Sequence, residues 1–585
     1  MSTAIVTGQP VPGSSLESDL RALGFEVLTA PDAAGTENLL AAVPADRRVA
    51  VVDARFVGHL HALRLGLTDP RFPLAAIPGA VTAQPAGRQA LSRALAREAS
   101  TGGGTDLAVD GLVTALDADV HRPELGSLVA AVPADPQARN EARQAIAAVD
   151  DEAVRLKSAV KSRDGFFTTF FISPYSRYLA RWCARRGLTP NQVTTASLLT
   201  ALIAAGCAAT GTRIGFVAAG ALLICSFVLD CTDGQLARYS LQYSTLGAWL
   251  DATFDRAKEY AYYAGLALGA ARGGDDVWAL ALGAMILQTC RHVVDFSFNE
   301  ANHDATANTS PTAALSDRLD SVGWTVWVRR MIVLPIGERW ALIAVLTAVT
   351  TPRITFYVLL IGCALAATYT TAGRVLRSLT RKARRTDRAA KALADLADNG
   401  PLAGLVSRAP FGSPLLVAAA GVAVLTVSLF SGATWAPVVG ALVYALASGQ
   451  ALARPLKGAL DWLVPPLFRA AEYGTVLVLA SKAGVNGALP AAFGLVAAVA
   501  YHHYDTVYRI RGDAGAPPAW LVRAIGGQEG RTLLVTLLAA VLAATQFKVA
   551  LTVLAVAVAG LVLVESIRFW VSAGAPAVHD EGEPA

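Results

Sequence analysis

The stretch that decides the fold of this chain is DCTDGQLARYSLQYSTLGAWLDATFD, which runs from Asp230 to Asp255. It joins the end of one apolar segment to the start of the next, and it also contains Asp233 and Asp251. Spacings of three and four residues put Asp230 with Asp233, and Asp251 with Asp255, on common helix faces. We therefore expect two facing helices that aim four carboxylates at one point.

Four carboxylates at the ends of apolar segments need a counter-charge. A carboxylate at membrane depth costs about 2.5–3.5 kcal/mol on insertion scales, which makes it a functional-site hypothesis by default. The stretch has no equal set of Lys or Arg, so its aspartates would repel one another. Divalent cations are the simplest neutraliser, and carboxylate oxygens suit Mg²⁺, Mn²⁺ or Ca²⁺ rather than Zn²⁺. The alternative is that these residues only cap helices.

Two regimes of composition divide the 585 residues, of which 54% are hydrophobic. Residues 1–190 alternate short apolar and polar runs, as a soluble domain does. From Val193 onward, long apolar runs separated by short polar loops predict an all-α polytopic membrane region of about twelve spans. The predicted spans are 193–211, 214–236, 247–271, 276–298, 338–350 and 353–376, then 414–431, 434–453, 459–482, 487–507, 530–545 and 547–572.

Basic residues cluster in 374–391, between the two sets of predicted spans. Such a cluster is typical of a cytoplasmic loop beside anionic lipid, and it places the aspartates at cytoplasmic span ends. Nucleic-acid binding by this run is disfavoured, because the run directly follows a membrane segment. The first residues lack a charged and apolar leader, so we expect no signal peptide and a cytoplasmic N-terminal domain.

Residues 1–135 are predicted to form a cytosolic α/β domain with a mostly parallel sheet, because strand-like runs alternate with helical patterns. The strand-like runs are Ala4–Thr7, Glu26–Thr29, Val49–Asp53 and Leu74–Ile77. The first turn is too rich in proline for a nucleotide-binding glycine loop. Two interpretations stay open, a degenerate nucleotidyltransferase-like fold and an unrelated α/β module for regulation or docking. Asp53, at a strand end, is either a relic metal ligand or a plain strand-end carboxylate.

Residues 136–192 are predicted to connect this domain to the membrane. Gln137–Val160 has few helix breakers and is predicted to be one helix, and the mixture of aromatic and Arg residues before Pro190 is typical of an interfacial helix. The remaining boundaries place a membrane domain at 193–376, a basic cytoplasmic linker at 377–412, a second membrane domain at 413–575 and a disordered tail at 576–585.

The pattern D-x-x-D-G-x-x-A-R-x8-G-x-x-x-D-x-x-x-D resembles the signature of the CDP-alcohol phosphotransferase (phosphatidyltransferase) family, and every fixed position matches. The layout is most similar to the branch that fuses a cytidylyltransferase domain to an inositol-phosphate-transferring membrane domain. The resemblance covers 193–376 and the segment leading into it. It implies transfer of a substituted phosphate group from a CDP-alcohol to an acceptor alcohol, with release of CMP. It also implies dependence on Mg²⁺ or Mn²⁺, a role in phospholipid biosynthesis, and a place in the inner (plasma) membrane.

The resemblance also assigns roles to individual residues. The metal ligands would be Asp230, Asp233, Asp251 and Asp255, and Asp255 is also the candidate base for the acceptor hydroxyl. The residues expected to hold the donor are Asn191, Gly234, Ala237, Arg238 and Gly247. The glycines allow a helix backbone to approach the nucleotide closely, and Arg is a natural phosphate partner. A structural ion pair is the alternative role for the Arg.

Candidates for binding an acceptor phosphate are basic residues near predicted span ends, namely Arg291, Arg329, Arg330 and Arg339. A phosphorylated acceptor such as inositol phosphate would need two or three such cations. The alternative role of these residues is ordinary positive-inside anchoring. The implied partners are a donor of the CDP-diacylglycerol or CDP-inositol class, an alcohol acceptor and membrane lipid, with no nucleic acid. A homodimer is compatible with the resemblance.

The second set of apolar runs resembles the first in ordered fragments. The segment from Phe254 to Tyr260 resembles that from Leu467 to Tyr473, which aligns Arg256 with Arg469 and Glu259 with Glu472, and further matches follow in the same order. We infer a diverged copy in which Asp461 alone remains of the four aspartates. This half is therefore predicted to be catalytically inactive.

Two other classes of function stay open. Twelve spans in two halves is also a transporter layout, or that of a lipid-binding scaffold. A transporter site would lie between the halves with acids in both, whereas here the recognised acids lie in one half. The second of these classes is a bifunctional enzyme whose N-terminal domain makes the CDP-alcohol. The missing nucleotide loop disfavours it.

Overall fold

The structure is a computed structural model, which describes residues 2–9, 11–101, 107–116, 118–161, 164–303, 327–328, 331–380, 384–406 and 412–572. The described chain is mostly helical, with a small α/β region near its N-terminus. It divides into two compact units. The first contains residues 1–162, 174–190 and 232–244, and the second contains residues 163–173, 191–231 and 245–585.

The strands of the structure all lie in the first unit. They are β1 Ser2–Thr7, β2 Phe25–Ala30, β3 Val49–Asp53, β4 Val57–Gly58, β5 Leu74–Ile77, β6 Ala80–Ala83 and β7 Ala130–Ala131. Five of them form one sheet in the order β2-β1-β3-β6-β5, and β4 pairs with β7 separately. The four predicted strands are all present.

The sheet is mixed, so the prediction of a mostly parallel sheet is wrong for its second half. β1 pairs in parallel with β2 and β3, whereas β6 runs antiparallel to both β3 and β5. The reversal occurs at Pro78-Gly79, where Gly79 has a φ of +76°. Glycine takes this left-handed conformation without steric cost, so two residues suffice to turn β5 back as a hairpin.

β3 forms the centre of the first unit, and all five of its residues are buried. Apolar residues cover the sheet on both faces, including Leu20 on one face and Leu91 on the other. At the end of β3, the Asp53 carboxylate accepts hydrogen bonds from the Arg55 backbone at 2.8 Å and from its guanidinium at 2.9 Å. Asp53 therefore acts in this structure as a strand-end carboxylate with its own arginine partner.

The helices of the N-terminal part begin with those around the sheet and end with the helix before the first predicted span. They are α1 Leu16–Ala22, α2 Ala33–Ala42, α3 Leu60–Leu67, α4 Arg88–Thr101, α5 Val109–Thr114, α6 Pro136–Ala147, α7 Asp151–Ser158 and α8 Ser173–Arg185. The prediction of one helix over 137–160 is wrong. The chain breaks at Asp150, whose carboxylate accepts from the backbone N–H of Glu152 at 3.1 Å and so starts α7 as its N-cap.

The remaining helices form most of the second unit. They are α9 Pro190–Ala209, α10 Arg213–Ser240, α11 Thr245–Arg272, α12 Trp278–Asn302, α13 Ile336–Val349, α14 Pro352–Thr380, α15 Asp387–Ala397, α16 Pro401–Val406, α17 Pro414–Phe430, α18 Ala436–Ala451, α19 Val464–Lys482, α20 Ala488–Arg511, α21 Ala519–Ile525, α22 Gly527–Val541 and α23 Ala544–Ser572. Four of them begin at a proline, whose fixed φ suits the first helical position.

Every predicted span coincides with a helix, but the helices differ in their capacity to cross a membrane. Within the described residues, five are long and apolar enough to do so: α9, α10, α14, the segment Asp461–Lys482 and α23. α17 and α18 are apolar but shorter. Several long apolar helices are therefore established, and the count of twelve spans remains a prediction.

Glycines fix the position of α11 against α9. A Cβ atom added to Gly265 would lie 2.4 Å from the carbonyl oxygen of Ala205, and one added to Gly269 would lie 2.0 Å from that of Ala208. Two glycines four residues apart allow helix backbones to approach closely, as in packed membrane helices. This contact holds the helix that carries Asp251 and Asp255.

The segment predicted as a basic linker at 377–412 contains ordered helices. α14 continues to Thr380, and α15 and α16 follow. The side chain of Thr386 accepts a hydrogen bond from the Ala389 N–H at 3.1 Å and caps α15, which buries Leu393 and Leu396. The predicted tail at 576–585 lies outside the described residues.

Candidate metal centre

The four aspartates of the sequence pattern lie on two consecutive helices joined by a short turn. Asp230 and Asp233 are one turn apart on α10, and Asp251 and Asp255 are one turn apart on α11. The turn begins at Leu241, whose φ of +53° reverses the chain immediately after α10. A bulky residue rarely adopts this left-handed conformation, so the turn is a locally strained feature.

Three of the four carboxylates converge. Asp230, Asp233 and Asp251 each offer one oxygen, and the three oxygens lie within 4.8 Å of one another. Asp233 is buried, with 4% of its surface exposed. Ligands on opposite sides of Mg²⁺ are about 4.2 Å apart, since each bond is about 2.1 Å long. The three residues therefore fit one hard divalent cation after small side-chain movements.

Asp255 has a different partner. Its Oδ1 lies 2.9 Å from the ammonium nitrogen of Lys258, in the geometry of an ion pair rather than of an aligned hydrogen bond. The same ammonium also donates to Oδ1 of Asp230. The sequence predicted four metal ligands. The structure brings three of them together, whereas the fourth, Asp255, pairs with Lys258. The assignment of Asp255 as a metal ligand remains a prediction.

A buried charge network continues along α11. The Glu259 carboxylate pairs with Arg256 at 3.1 Å and with Arg339 at 3.1 Å, and it accepts from the Tyr263 hydroxyl at 2.7 Å. Glu259 and Arg339 are both nearly inaccessible to solvent. Buried charges are tolerated where partners satisfy them, so this network fixes the face of α11 next to Asp255.

Four of the five residues predicted to hold the donor lie on the two helices that carry the aspartates. The sites of close backbone approach, Gly234, Ala237 and Gly247, lie on α10 and α11, and Asn191 lies in the first turn of α9. Arg238 is half-buried, and its Nε donates to the carbonyl oxygen of Ala159 at 2.6 Å. Their roles toward a nucleotide remain predictions.

The predicted acceptor residues are engaged within the protein where the structure describes them. Arg291 is buried and donates to the carbonyl oxygens of Val333 and Leu334. Arg339 pairs with Glu259. Arg329 and Arg330 lie outside the described residues. The structure therefore gives no open guanidinium at Arg291 or Arg339, and the acceptor assignment stays a prediction.

A second buried charge cluster lies among the later helices, and the sequence analysis identified only part of it. Arg469 pairs with Glu472 at 2.8 Å, and Arg531 donates to Glu472 at 2.6 Å and to Asp398 at 2.7 Å. Asp398 ends α15 and also contacts His502 at 3.2 Å. Burial alone would raise the pKa of Asp398, but Arg531, His502 and Arg469 hold that pKa well below its usual range. A cavity of about 430 Å³ lies beside Asp398 and His502.

Two charged residues of these clusters, Lys258 and Asp398, received no site role from the sequence. Lys258 follows Asp255 by three residues, the spacing of side chains that share a helix face, so that signal was present. Asp398 had no local signal, because its partners come from α19, α20 and α22.

Comparison with known proteins supports the family resemblance. A family model described as CDP-alcohol phosphatidyltransferase matches residues 187–369. Residues 387–585 match a family of unknown function, DUF5941. Residues 187–369 thus match the CDP-alcohol phosphatidyltransferase family, as the aspartate pattern predicted, and residues 387–585 match a different family model.

Curated relatives also match part of this chain. A phosphatidylinositol phosphate synthase of Streptomyces avermitilis is 35% identical over 131 residues, covering 21% of this chain and 51% of the relative. One of Mycolicibacterium smegmatis is 38% identical over 122 residues, covering 21% and 53%. A bifunctional IPC transferase and DIPP synthase of Rubrobacter xylanophilus is 43% identical over 84 residues, covering 14% and 18%. The chain spans about half the length of the first two relatives. All three are named as enzymes of transferase or synthase type.

Proposed function

We propose that this protein is an integral-membrane CDP-alcohol phosphotransferase that uses a divalent cation, Mg²⁺ or Mn²⁺. It would transfer a substituted phosphate group from a CDP-alcohol to an acceptor alcohol and release CMP. The observation that carries this proposal is the convergence of Asp230, Asp233 and Asp251 within 4.8 Å, inside the segment that matches the family. The apolar helices around it support a membrane location.

The residues of the centre have complementary roles in this proposal. A bound cation would act as a Lewis acid on the pyrophosphate of the donor. Asp230, Asp233 and Asp251 would hold that cation. Asp255 stands one helical turn beyond Asp251, and it remains our candidate for accepting the proton of the acceptor hydroxyl. Arg238 would contact a donor phosphate from the next turn of α10.

The names of the relatives favour an inositol-type acceptor. Two are phosphatidylinositol phosphate synthases, and another, of Pyrococcus horikoshii, is an archaetidylinositol phosphate synthase that is 31% identical over 113 residues. We propose an inositol phosphate as acceptor and a CDP-linked diacyl lipid as donor. CDP-inositol is the alternative donor, because the bifunctional relatives also match.

Release of CMP by the purified protein tests this proposal. The protein would be given CDP-diacylglycerol or CDP-inositol, each with inositol phosphate or with glycerol phosphate, in Mg²⁺ and in EDTA. We expect metal-dependent CMP release with one donor and inositol phosphate, and none from Asp233→Asn. The variant Asp387→Asn is a matched control, since that side chain is 92% exposed. No CMP from any pair in Mg²⁺ or Mn²⁺ would overturn the proposal.

We also propose that residues 413–575 are an inactive copy of residues 193–376. The pairing of Arg469 and Arg531 with Glu472 has the same form as that of Arg256 and Arg339 with Glu259. Asp461 belongs to no carboxylate cluster among the described residues, and it accepts from the Gly458 N–H at 2.7 Å. A second likeness supports the copy.

That likeness concerns a glutamate in the first turn of a later helix in each half. Glu338 accepts at 3.3 Å from the N–H of Phe167, a residue that precedes the first helices of its half in the sequence. Glu529 accepts at 2.9 and 3.1 Å from the N–H groups of Gly400 and Ala403, which precede the first helices of the other half in the sequence. An experimental structure with a different helix order in the two halves would contradict the copy.

For the N-terminal domain we propose a cytoplasmic regulatory or docking role, without synthesis of the CDP-alcohol. Its first strand leads into a proline-containing turn rather than a glycine loop, and Asp53 is bound by Arg55. Formation of a CDP-alcohol from CTP and an alcohol phosphate by the purified protein would contradict this.

A further inference from the structure

Lys258 is a fully buried cation inside the aspartate site. Its side chain is 0% exposed, which is unusual for lysine. Its ammonium group contacts Asp230, lies 2.9 Å from Asp255 and donates to the Ser197 hydroxyl at 3.2 Å. An ammonium has three N–H donors, and here three oxygens surround it.

The surroundings hold this ammonium in place. The Ser197 hydroxyl is itself bound to the carbonyl oxygen of Ser226 at 2.8 Å, between α9 and α10. On another side the ammonium lies 5.3 Å from the centre of the Trp340 ring, an attractive cation–π distance. Trp340 is 1% exposed. Lys258 therefore contacts three other helices, and a swing into solvent would break all of these interactions.

The ammonium bridges one carboxylate from each helix of the site. Asp230 comes from α10 and Asp255 from α11. In a two-metal centre, these two carboxylates are the ligands that would hold a second divalent cation. The position between Asp230 and Asp255 is already taken by a positive charge of the protein, and a divalent cation placed there would be repelled by it.

We propose that Lys258 takes the place of a second metal ion, so that this centre binds a single divalent cation at Asp230, Asp233 and Asp251. Lys258 is a positioning residue in this scheme, since it orients Asp255 and one oxygen of Asp230. The inference rests on the metal centre of the proposed function, which it deepens by fixing the number of ions.

Counting bound Mn²⁺ tests the inference without any measurement of activity. The purified protein in detergent would be titrated with Mn²⁺ and followed by electron paramagnetic resonance, which detects free Mn²⁺ and the magnetic coupling of paired ions. We expect one tightly bound Mn²⁺ per chain and no coupled pair. Two Mn²⁺ per chain with a coupled spectrum would overturn the inference and leave the metal centre standing. No bound Mn²⁺ would overturn both.

Variants of Lys258 sharpen the test. Lys258→Met keeps the length of the side chain and removes its charge, so it should bind two Mn²⁺ per chain as a coupled pair. Adding Asp255→Asn to Lys258→Met should return the count to one, because one bridging carboxylate is lost. One Mn²⁺ in a folded Lys258→Met protein would overturn the inference. If Lys258→Met fails to fold, the count for the unaltered protein decides between one ion and two.

Discussion

Nη1 of Arg469 lies 2.8 Å from Oε2 of Glu472, one helical turn away, in a part of the protein where neither side chain is more than 3% exposed. The sequence likeness between the halves predicted this pair, because Arg256 and Glu259 have the same spacing. Those residues are indeed paired, at 3.1 Å. Among the described residues, the second pair has no cluster of three carboxylates beside it. The paired charges therefore form without a metal centre next to them.

The metal ligands give the most direct prediction. Asp233→Asn should lower CMP release at least about 100-fold and weaken Mn²⁺ binding, because the amide removes one charged ligand of three. Asp461→Asn is the matched change in the second half and should retain most of the activity. The two variants would be compared by CMP release and by Mn²⁺ titration. Equal losses in both would contradict the assignment of one active and one inactive half.

Asp255 is expected to behave differently from the other aspartates. Asp255→Asn should retain binding of Mn²⁺ and of the CDP-alcohol, since the cluster of three carboxylates does not include it. Turnover should fall by about 100-fold or more, because an amide cannot accept the proton of the acceptor. Binding of the donor would be measured by calorimetry and turnover by CMP release. If donor affinity falls as steeply as in Asp233→Asn, Asp255 is a ligand and not the base.

The main lines of this site followed from the sequence, because they depend on local spacing. Aspartates three and four residues apart on apolar segments predict shared helix faces, and three of the four carboxylates on α10 and α11 converge. Lys258 shows the limit of that reasoning. Its spacing from Asp255 was visible, but its contact with Asp230 and Ser197 depends on how α9, α10 and α11 pack.

Long-range pairing explains the other differences between sequence and structure. Asp398 binds residues between 71 and 133 positions away along the chain, which no local pattern reveals. The reversed strand β6 is a different case. Its turn signal, Pro78-Gly79, stands in the sequence, so the reversal could have been predicted from local sequence. The break at Asp150 was likewise a readable cap.

His61 predicts a dependence of stability on pH in the first unit. Its ring is 3% exposed, neither ring nitrogen has a hydrogen-bond partner among the described residues, and burial, followed by Arg155, lowers the pKa of His61 to about 4. The unfolded chain takes up this proton near pH 6.5, so stability should fall between about pH 6.5 and 4, by about 3 kcal/mol at the lower end.

Hydrogen exchange of the α3 amides in the whole protein measures that effect, after correction for the intrinsic exchange rate at each pH. His61→Phe keeps an aromatic ring of similar size but cannot take up a proton. The rise in α3 amide exchange at low pH should therefore be much smaller in this variant than in the unaltered protein. An identical pH dependence in His61→Phe would assign the effect to other groups.

In the charge cluster of the second half, a single change should cost more stability than a double change. Arg469→Met leaves the Glu472 carboxylate buried with one partner fewer, and removing one member of a buried ion pair costs about 3–5 kcal/mol. The double variant Arg469→Met with Glu472→Met removes both charges and should recover part of that loss.

Unfolding midpoints in detergent would be compared with those of Arg388→Met, whose side chain is 43% exposed and should tolerate the change. CMP release per folded molecule should stay close to the unaltered value in all three proteins, because the aspartates lie on other helices. A double variant less stable than Arg469→Met would show that the pair is not an isolated charge balance, and that Asp398 and Arg531 depend on both members.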